Sequence, residues 1–165
     1  MVASSAHAQE STTEERKFSV ASGLGFFANN DDDGFSMNFE GSYHFDEHWS
    51  GGIDFQIGIE DSDTTILSVP IFGRYDFGNF RTEIAFLEDL HAFLKLGMGL
   101  THVSIDGHGS RDDTDFLFVM GGGLAYPITD RISLESRMQF NITPNDFFED
   151  DYYFSWEIIG ARFRF

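Results

Sequence analysis

The sequence predicts an all-β protein, an eight-stranded antiparallel up-and-down transmembrane β-barrel with a polar lumen. Two observations carry this prediction. Apolar and polar residues alternate with a period of two from Lys17 to Phe165, which indicates strands with one apolar face each. The alternation falls into eight segments separated by short polar stretches. Each segment has about 10 residues, the length that a tilted strand needs to cross a bilayer.

The eight segments follow one another without an internal repeat beyond this spacing. They are residues 17–28, 35–45, 49–60, 65–77, 92–105, 115–126, 131–141 and 152–165. Pro70 interrupts the fourth segment. Because a closed barrel has no edge strand at which a proline is tolerated, we expect a β-bulge there. Residues 78–91 are the least regular, and 84–90 are compatible with a helical turn.

The apolar face of these strands is predicted to point outward. An eight-stranded barrel is only just wide enough for side chains to fill its interior. The apolar face carries too many Phe, Tyr, Ile, Leu and Met residues to fit there. The opposite face carries glycine, serine and charges of both signs, which suit a narrow polar lumen. The alternative is a soluble, lipocalin-like barrel with its apolar face inward.

Charged residues on the polar face form the main candidate site. By strand parity they are Glu40, Asp54, Arg74, Lys95, Glu135, Arg137, Arg162 and Arg164. Buried charges persist only when they are paired and hydrogen-bonded, so we predict a salt-bridge network that fills the barrel. Such a network leaves no wide aqueous channel. The alternative is a set of unconnected charges near the rims.

The composition argues against several classes of function. The chain has 28 acidic and 10 basic residues, a formal net charge of −18, which disfavours binding of nucleic acid or of anionic lipid through basic residues. It has no cysteine, so disulfides and thiolate metal sites are excluded. His44, His48, His91 and His108 lack the paired spacing of a metal site. No glycine-rich phosphate loop opens a helix, and we expect no cofactor.

Residues 1–16 are predicted to precede the barrel, which takes up residues 17–165. Residues 6–8, Ala-His-Ala, match the A-x-A-like pattern at the cleavage site of export signals. We therefore interpret the first residues as the remnant of a signal peptide, followed by a disordered polar tail. The alternative is a disordered tail of small residues with no role in export.

The last segment resembles the terminal strand of bacterial outer-membrane proteins, in which apolar residues alternate into a final aromatic residue. Here these residues are Ile159, Ala161, Phe163 and Phe165. The glycine-alternating stretches 97–99 and 121–123 are also similar to those of OmpA/OmpX-like eight-stranded barrels. The resemblance covers about residues 17–165. It implies a monomer in the outer membrane of a Gram-negative bacterium, both termini in the periplasm, and recognition of Phe163 and Phe165 by the barrel-assembly machinery.

The parity of this last segment breaks near its middle. Counting back from Phe165, Glu157 falls on the lipid-facing side and Trp156 falls inside. A bulge near Ile158 and Ile159 would exchange the two faces and restore the pattern. Without a bulge, Glu157 must lie near the outer interface, where an acidic residue costs less free energy.

Acidic residues concentrate in the connections that the resemblance places outside the cell. These connections are 29–34, 60–65, 106–115 and 142–151, and Arg111 is their one fixed cation. The simplest interpretation is a solvated rim. The alternative is that carboxylate oxygens bind divalent cations, which then bridge to lipopolysaccharide phosphates. No segment has EF-hand spacing, so no ligands are assigned.

His102 and Ser104 match the H-x-S element of outer-membrane lipid A deacylases. In those enzymes a histidine activates a serine nucleophile, and an acidic residue orients the histidine. Strand parity places both residues on the lipid side near the outer rim. However, the motif of that family lies near the C-terminal end of the chain, and Asp115 is only an approximate candidate for the orienting acid.

These patterns rank four functions. The leading prediction is a non-enzymatic outer-membrane barrel with a structural or envelope-stabilising role, whose lumen is filled by charged residues. The alternatives are a surface-binding module that uses acidic extracellular loops, a narrow solute channel, and a lipid A deacylase. Short loops favour the first prediction over adhesion. The expected partners are outer-membrane lipid, lipopolysaccharide and the assembly machinery.

Overall fold

The computed structural model describes residues 17–28, 33–60, 64–79, 88–105, 111–144 and 152–165. Its strands form one closed antiparallel barrel in sequence order, in which β1 also pairs with β8, so the predicted fold class is confirmed. The strands are β1 Phe18–Ala28, β2 Asp33–His44, β3 Trp49–Glu60, β4 Thr64–Asn79, β5 His91–Ile105, β6 Arg111–Pro127, β7 Ile132–Ile142 and β8 Tyr152–Arg164. The predicted tail 1–16 and most of 84–90 lie outside the described residues. No helix among the described residues is long and apolar enough to cross a membrane.

The barrel has two different ends. We call the end where β1 begins and β8 finishes the turn end, because the tight turns 45–48 and 128–131 lie there. We call the opposite end the loop end. In the first turn, Asp46 Oδ1 accepts hydrogen bonds of 2.7 Å from the backbone N–H groups of His48 and Trp49. These bonds stabilise the carboxylate and lower the pKa of Asp46 from its ordinary value.

The apolar face of the strands points away from the barrel interior. In β5, Leu96 is 53% exposed, whereas its neighbour Lys95 is 0% exposed. Aromatic side chains pack against each other in two rows on this outer surface. The row near the turn end includes Phe18, Tyr43, Phe45, Trp49 and Tyr75, and the row near the loop end includes Phe26, Phe140, Phe154 and Trp156. Such rows are typical of the girdles of a membrane barrel.

The bulge expected at Pro70 is absent, so that prediction was wrong. Pro70 pairs with Gly99 without a register shift, and the register between β3 and β4 is the same before and after it. Two pairs of the β3–β4 ladder are missing at this level, because proline has no N–H to donate. Gly99 provides the room, since a Cβ atom on it would lie 2.5 Å from the Cα atom of Pro70.

A bulge does occur in β8. Leu24 of β1 pairs with Ile159, whereas the next residue of β1 pairs with Glu157, so Ile158 is the extra residue. The ladder between β7 and β8 shifts at the same level. Ile158 and Ile159 both face outward, with 51% and 57% of their surface exposed. The bulge therefore turns Glu157 into the barrel and Trp156 towards the lipid.

The hairpin of β5 and β6 is longer than the alternation predicted. β6 begins at Arg111, which pairs with Ile105, so Asp112, Asp113 and Asp115 belong to a strand rather than to the acidic connection 106–115. Backbone pairing does not require apolar side chains, and a hairpin can continue through polar residues. The apolar pattern therefore marks the part of the strand that faces lipid and not its full length.

Candidate functional site

Charged side chains from six strands meet in the middle of the barrel. We call this group the charge network; N–O distances of 2.5–3.7 Å join its members. It consists of Glu40, Asp54, Arg74, Asp76, Lys95, Glu135, Arg137, Glu157 and Arg162. The structure thus brings seven of the eight predicted lumen charges into one connected group.

Glu40 holds three cations of the charge network together. Its Oε2 atom accepts hydrogen bonds from Lys95 Nζ at 2.8 Å and from Arg137 Nη1 at 2.7 Å. Its Oε1 atom accepts one from Arg162 Nη2 at 2.5 Å. Because Glu40 lies on β2 and the three cations lie on β5, β7 and β8, one carboxylate links four strands across the interior.

Arg162 is satisfied by partners on several sides of its guanidinium group. Its Nε atom donates to Glu135 Oε1 at 2.8 Å, and its Nη1 atom donates to the hydroxyls of Ser19 and Ser42 at 3.0 and 2.9 Å. Glu135 Oε1 also accepts a hydrogen bond from Arg74 at 2.9 Å. A buried charge is tolerated when hydrogen bonds replace its hydration in this way.

Two inward-facing aromatic rings cover cations of the charge network. The guanidinium carbon of Arg74 lies 3.7 Å from the ring centroid of Phe93, and Lys95 Nζ lies 4.0 Å from that of Phe72. Both geometries allow an attractive cation–π interaction. The rings also occupy space that water would otherwise fill, which strengthens the neighbouring ion pairs.

Two members of the charge network were missed by sequence reasoning. Asp76 accepts hydrogen bonds from Arg74 at 2.7–3.2 Å. It follows Arg74 by two residues and so lies on the same inward face, which could have identified it. Glu157 accepts a hydrogen bond from Arg137 at 2.7 Å, which is possible because of the bulge. Arg164, in contrast, was predicted in the network but lies beside it, half-buried at the turn end.

Glycines of β6 provide the space that these long side chains occupy. A Cβ atom on Gly123 would lie 2.8 Å from Phe93 Cζ and 3.0 Å from Arg137 Cα, and one on Gly121 would lie 2.7 Å from Gln139 Cγ. Both positions face the interior. The stretch 121–123 is therefore a thin part of the wall, against which the side chains of Phe93 and Gln139 pack.

An apolar layer lies in the interior between the charge network and the loop end. It consists of Phe27, Ile66, Val103, Leu117, Val119 and Tyr153. The hydroxyl of Tyr153 shares a 2.9 Å hydrogen bond with Ser68, which also contacts Thr101 at 2.8 Å. The sequence placed Leu117 and Val119 on the inward face but did not reveal that apolar residues of four other strands join them.

Two small cavities lie between the charge network and the apolar layer. They have volumes of about 20 Å³ each, which suffices for about one water molecule. Asn38 Oδ1 and Gln139 Oε1 line one of them and have no hydrogen-bond partner within the protein. Each of these two cavities thus offers room for a single water molecule.

The H-x-S pair lies on the outer surface, as strand parity predicts. Nδ1 of His102 is 2.9 Å from the hydroxyl of Thr114, which pairs with it in the ladder. Asp115 instead faces the interior, is 7% exposed, and accepts a hydrogen bond of 2.6 Å from the backbone N–H of Phe116. The barrel wall separates Asp115 from His102, so this approximate candidate does not orient the histidine.

The histidines take part in separate local contacts. His44 Nε2 lies 3.0 Å from Ser19 Oγ, and His48 Nδ1 lies 3.0 Å from the backbone oxygen of Asp76. His108 is outside the described residues. Within the described ranges, no three His, Asp or Glu side chains are arranged to hold a metal ion.

A closed eight-stranded barrel with an apolar outer face and a charged interior defines the class of small transmembrane β-barrels. The chain belongs to the family described as "Outer membrane protein beta-barrel domain", whose model matches residues 1–165. It is a barrel of the OmpA/OmpX-like kind, and its location is the outer membrane of a Gram-negative bacterium.

Three solved structures have a similar fold. Neisserial surface protein A (NspA) shares 16% identity with a TM-score of 0.72, covering 90% of this chain and 96% of that chain. The N-terminal barrel of Pseudomonas aeruginosa OprF shares 12% identity with a TM-score of 0.62, covering 91% and 98%. The outer membrane enzyme PagL shares 16% identity with a TM-score of 0.55, covering 88% and 98%. A comparison with curated proteins found no match.

Proposed function

We propose that the protein is a non-enzymatic, monomeric barrel with a closed lumen and a structural, envelope-stabilising role in the outer membrane. The charge network carries this proposal, because its ion pairs join strands from opposite sides of the interior. The proposed orientation places the turn end in the periplasm and the acidic loop end at the cell surface. There the loops face lipopolysaccharide, and divalent cations would reduce the repulsion between carboxylates and lipid phosphates.

The contacts within the interior support a closed lumen. An ion that crossed it would have to separate pairs such as Lys95 with Asp54 and Arg137 with Glu40, which lie 2.7 Å apart. Leaving one buried partner without the other costs about 3–5 kcal/mol. The apolar layer adds a second barrier, because an ion passing it would lose its hydration without compensation.

Planar-bilayer recordings test the closed lumen. We expect no steady single-channel conductance from the purified protein, because the charge network and the apolar layer fill the cross-section. Insertion is verified in vesicles of the same lipid, in which the folded barrel keeps its heat-modifiable gel mobility. A steady, voltage-independent conductance from verified barrels would favour the alternative of a narrow solute channel and exclude the closed lumen.

The surroundings of His102 support the absence of hydrolytic activity. A serine hydrolase of this type needs an acidic residue to orient the histidine and to stabilise its charged form. Here a threonine hydroxyl occupies the position next to the ring, and the candidate acid Asp115 lies on the other side of the wall. The similarity to the enzyme PagL concerns the fold, and a shared fold does not imply a shared activity.

A strain that lacks the protein tests the structural role and the absence of catalysis together. We expect this strain to be more sensitive to detergent, and the wild-type protein and His102→Ala to restore resistance equally. The mass spectrum of lipid A is expected to be the same in all three strains. A shortened lipid A species that depends on the wild-type protein and is absent with His102→Ala would establish the deacylase alternative.

We extend the proposal to assembly of the barrel. Phe165 stacks on Phe18 of β1 with ring centroids 6.2 Å apart, and on Phe163 at 6.1 Å. These rings lie on the outer surface at the seam where β8 meets β1. An exposed aromatic group at the closing seam supports recognition of Phe163 and Phe165 by the assembly machinery.

A further inference from the structure

A cavity of about 210 Å³ opens at the turn end of the barrel. One water molecule needs about 10–15 Å³ of such space, so this cavity has room for a small solute. Its walls come from the ends of β4 to β8 and from the turn 128–131. The charge network forms its floor through Asp76. The cavity is therefore reached from the turn end, and a ligand in it would not have to cross the lumen.

Arg164 brings a positive charge into the wall of this cavity. Its position is fixed by the β-ladder, because its backbone N–H donates to the backbone oxygen of Arg131 at 2.8 Å. Its side chain is half-buried, and no ion pair joins its guanidinium to a carboxylate of the described residues. An arginine stays protonated at physiological pH, so its buried donors favour an anionic partner.

The acidic side chains of the cavity form no ion pair with Arg164, although Asp76 attracts it electrostatically. The oxygens of Asp76 accept hydrogen bonds from Arg74, whose Nη2 and Nε atoms lie 2.7–3.2 Å away. Asp130 is exposed on the turn and takes part in an interaction of its own. Arg131 adds a second cation to the wall, so two guanidinium groups line the cavity beside two carboxylates that are engaged in other interactions.

Hydroxyl groups complete the set of donors. Thr129 Oγ1 accepts hydrogen bonds from the backbone N–H groups of Arg131 and Ile132 at 3.2 and 3.0 Å, which fixes the hydroxyl in place. Its own proton remains available for a ligand. Ser133, the second residue of β7, lines the same cavity. Two cations and two hydroxyls around one small space match the oxygen atoms of a carboxylate or phosphate group.

We propose that this turn-end cavity binds a small anion that carries a carboxylate or phosphate group, with Arg164 as its principal partner. Arg131 contributes a second charge, and Thr129 and Ser133 donate hydrogen bonds. This site goes beyond the proposed structural role and does not depend on closure of the lumen. It gives the barrel a ligand on the side of the membrane that the proposed orientation assigns to the periplasm.

Calorimetric titration of the folded barrel in non-ionic detergent, at constant ionic strength, tests this site. Inorganic phosphate and succinate are used as separate probes, and they show whether phosphate or carboxylate is the preferred group. We expect one of them to bind, and Arg164→Gln to weaken that binding by about tenfold or more, because charge-assisted hydrogen bonds are lost. Arg131→Gln is expected to have a smaller effect, since its side chain is exposed.

Two further variants distinguish binding in this cavity from a general effect of the protein's charge on anion binding. Glu47→Gln changes the net charge at the same end by one unit outside the cavity wall, and is expected to leave binding unchanged within about twofold. Ser133→Phe keeps both arginines but fills the cavity, and is expected to abolish binding. The proposal is overturned if neither probe binds at millimolar concentration to the heat-modifiable barrel. It is also overturned if Glu47→Gln changes the affinity by as large a factor as Arg164→Gln.

Discussion

Replacing Glu40 with glutamine is expected to lower the free energy of unfolding of the barrel by about 3–5 kcal/mol. The substitution keeps the size and shape of the side chain but removes the negative charge that faces Lys95, Arg137 and Arg162. Those cations remain buried, and the neutral amide also turns donor N–H groups towards them. The cost is large because desolvated charges lose a partner and gain no water in exchange.

Unfolding in urea, measured on the barrel reconstituted in lipid vesicles, provides the test. Tryptophan fluorescence from Trp49 and Trp156 reports the transition at both ends of the outer surface. The matched control is Glu47→Gln, because Glu47 is exposed in the turn 45–48 and its substitution is expected to change stability by about 0.5 kcal/mol or less. If the two variants lose the same stability, the ion pairs of Glu40 do not stabilise the barrel.

Deletion of Ile158 is expected to prevent formation of a stable barrel. Removing the extra residue of the bulge shifts the first half of β8 by one position, and a shift of one position moves every side chain to the opposite face of the sheet. Glu157 would then face lipid, and Trp156 would face the crowded interior. Arg137 would in turn lose its 2.7 Å partner. We expect no heat-modifiable band on gels after refolding into detergent.

Ile158→Ala is the matched control for this deletion. It keeps the extra residue and removes only an outward-facing side chain that is 51% exposed. It is expected to fold and to lose about 1 kcal/mol of stability or less. A deletion variant that folds and unfolds like the wild-type protein would mean that β8 closes the barrel without the bulge.

Much of this architecture was predictable because each strand lies between two different environments. Lipid on one side and a narrow polar interior on the other impose a period of two, and the alternation around Lys95 and Leu96 shows it directly. The same parity placed seven charged residues in the interior. The alternation breaks at Glu157, and this break indicated the bulge in β8.

The remaining features depend on relations between strands that alternation does not encode. The accommodation of Pro70 depends on Gly99, which is its partner in the next strand and 29 positions away in sequence. The apolar layer brings Phe27 and Tyr153 together from the two ends of the chain, with ring centroids 6.3 Å apart. Asp115 was only an approximate candidate for the orienting acid, and it lies on the inner side of the wall because it shares the parity of Leu117 and Val119.

The composition of the charge network has a consequence for how copies of the protein share a membrane. The charge network contains five carboxylates and four basic side chains, so its formal charge is −1. The other 17 of the 18 net negative charges therefore belong to the rest of the chain. We expect neighbouring barrels to repel one another through these charges over roughly 8–10 Å at physiological ionic strength. Added salt is therefore expected to let the molecules approach one another more closely.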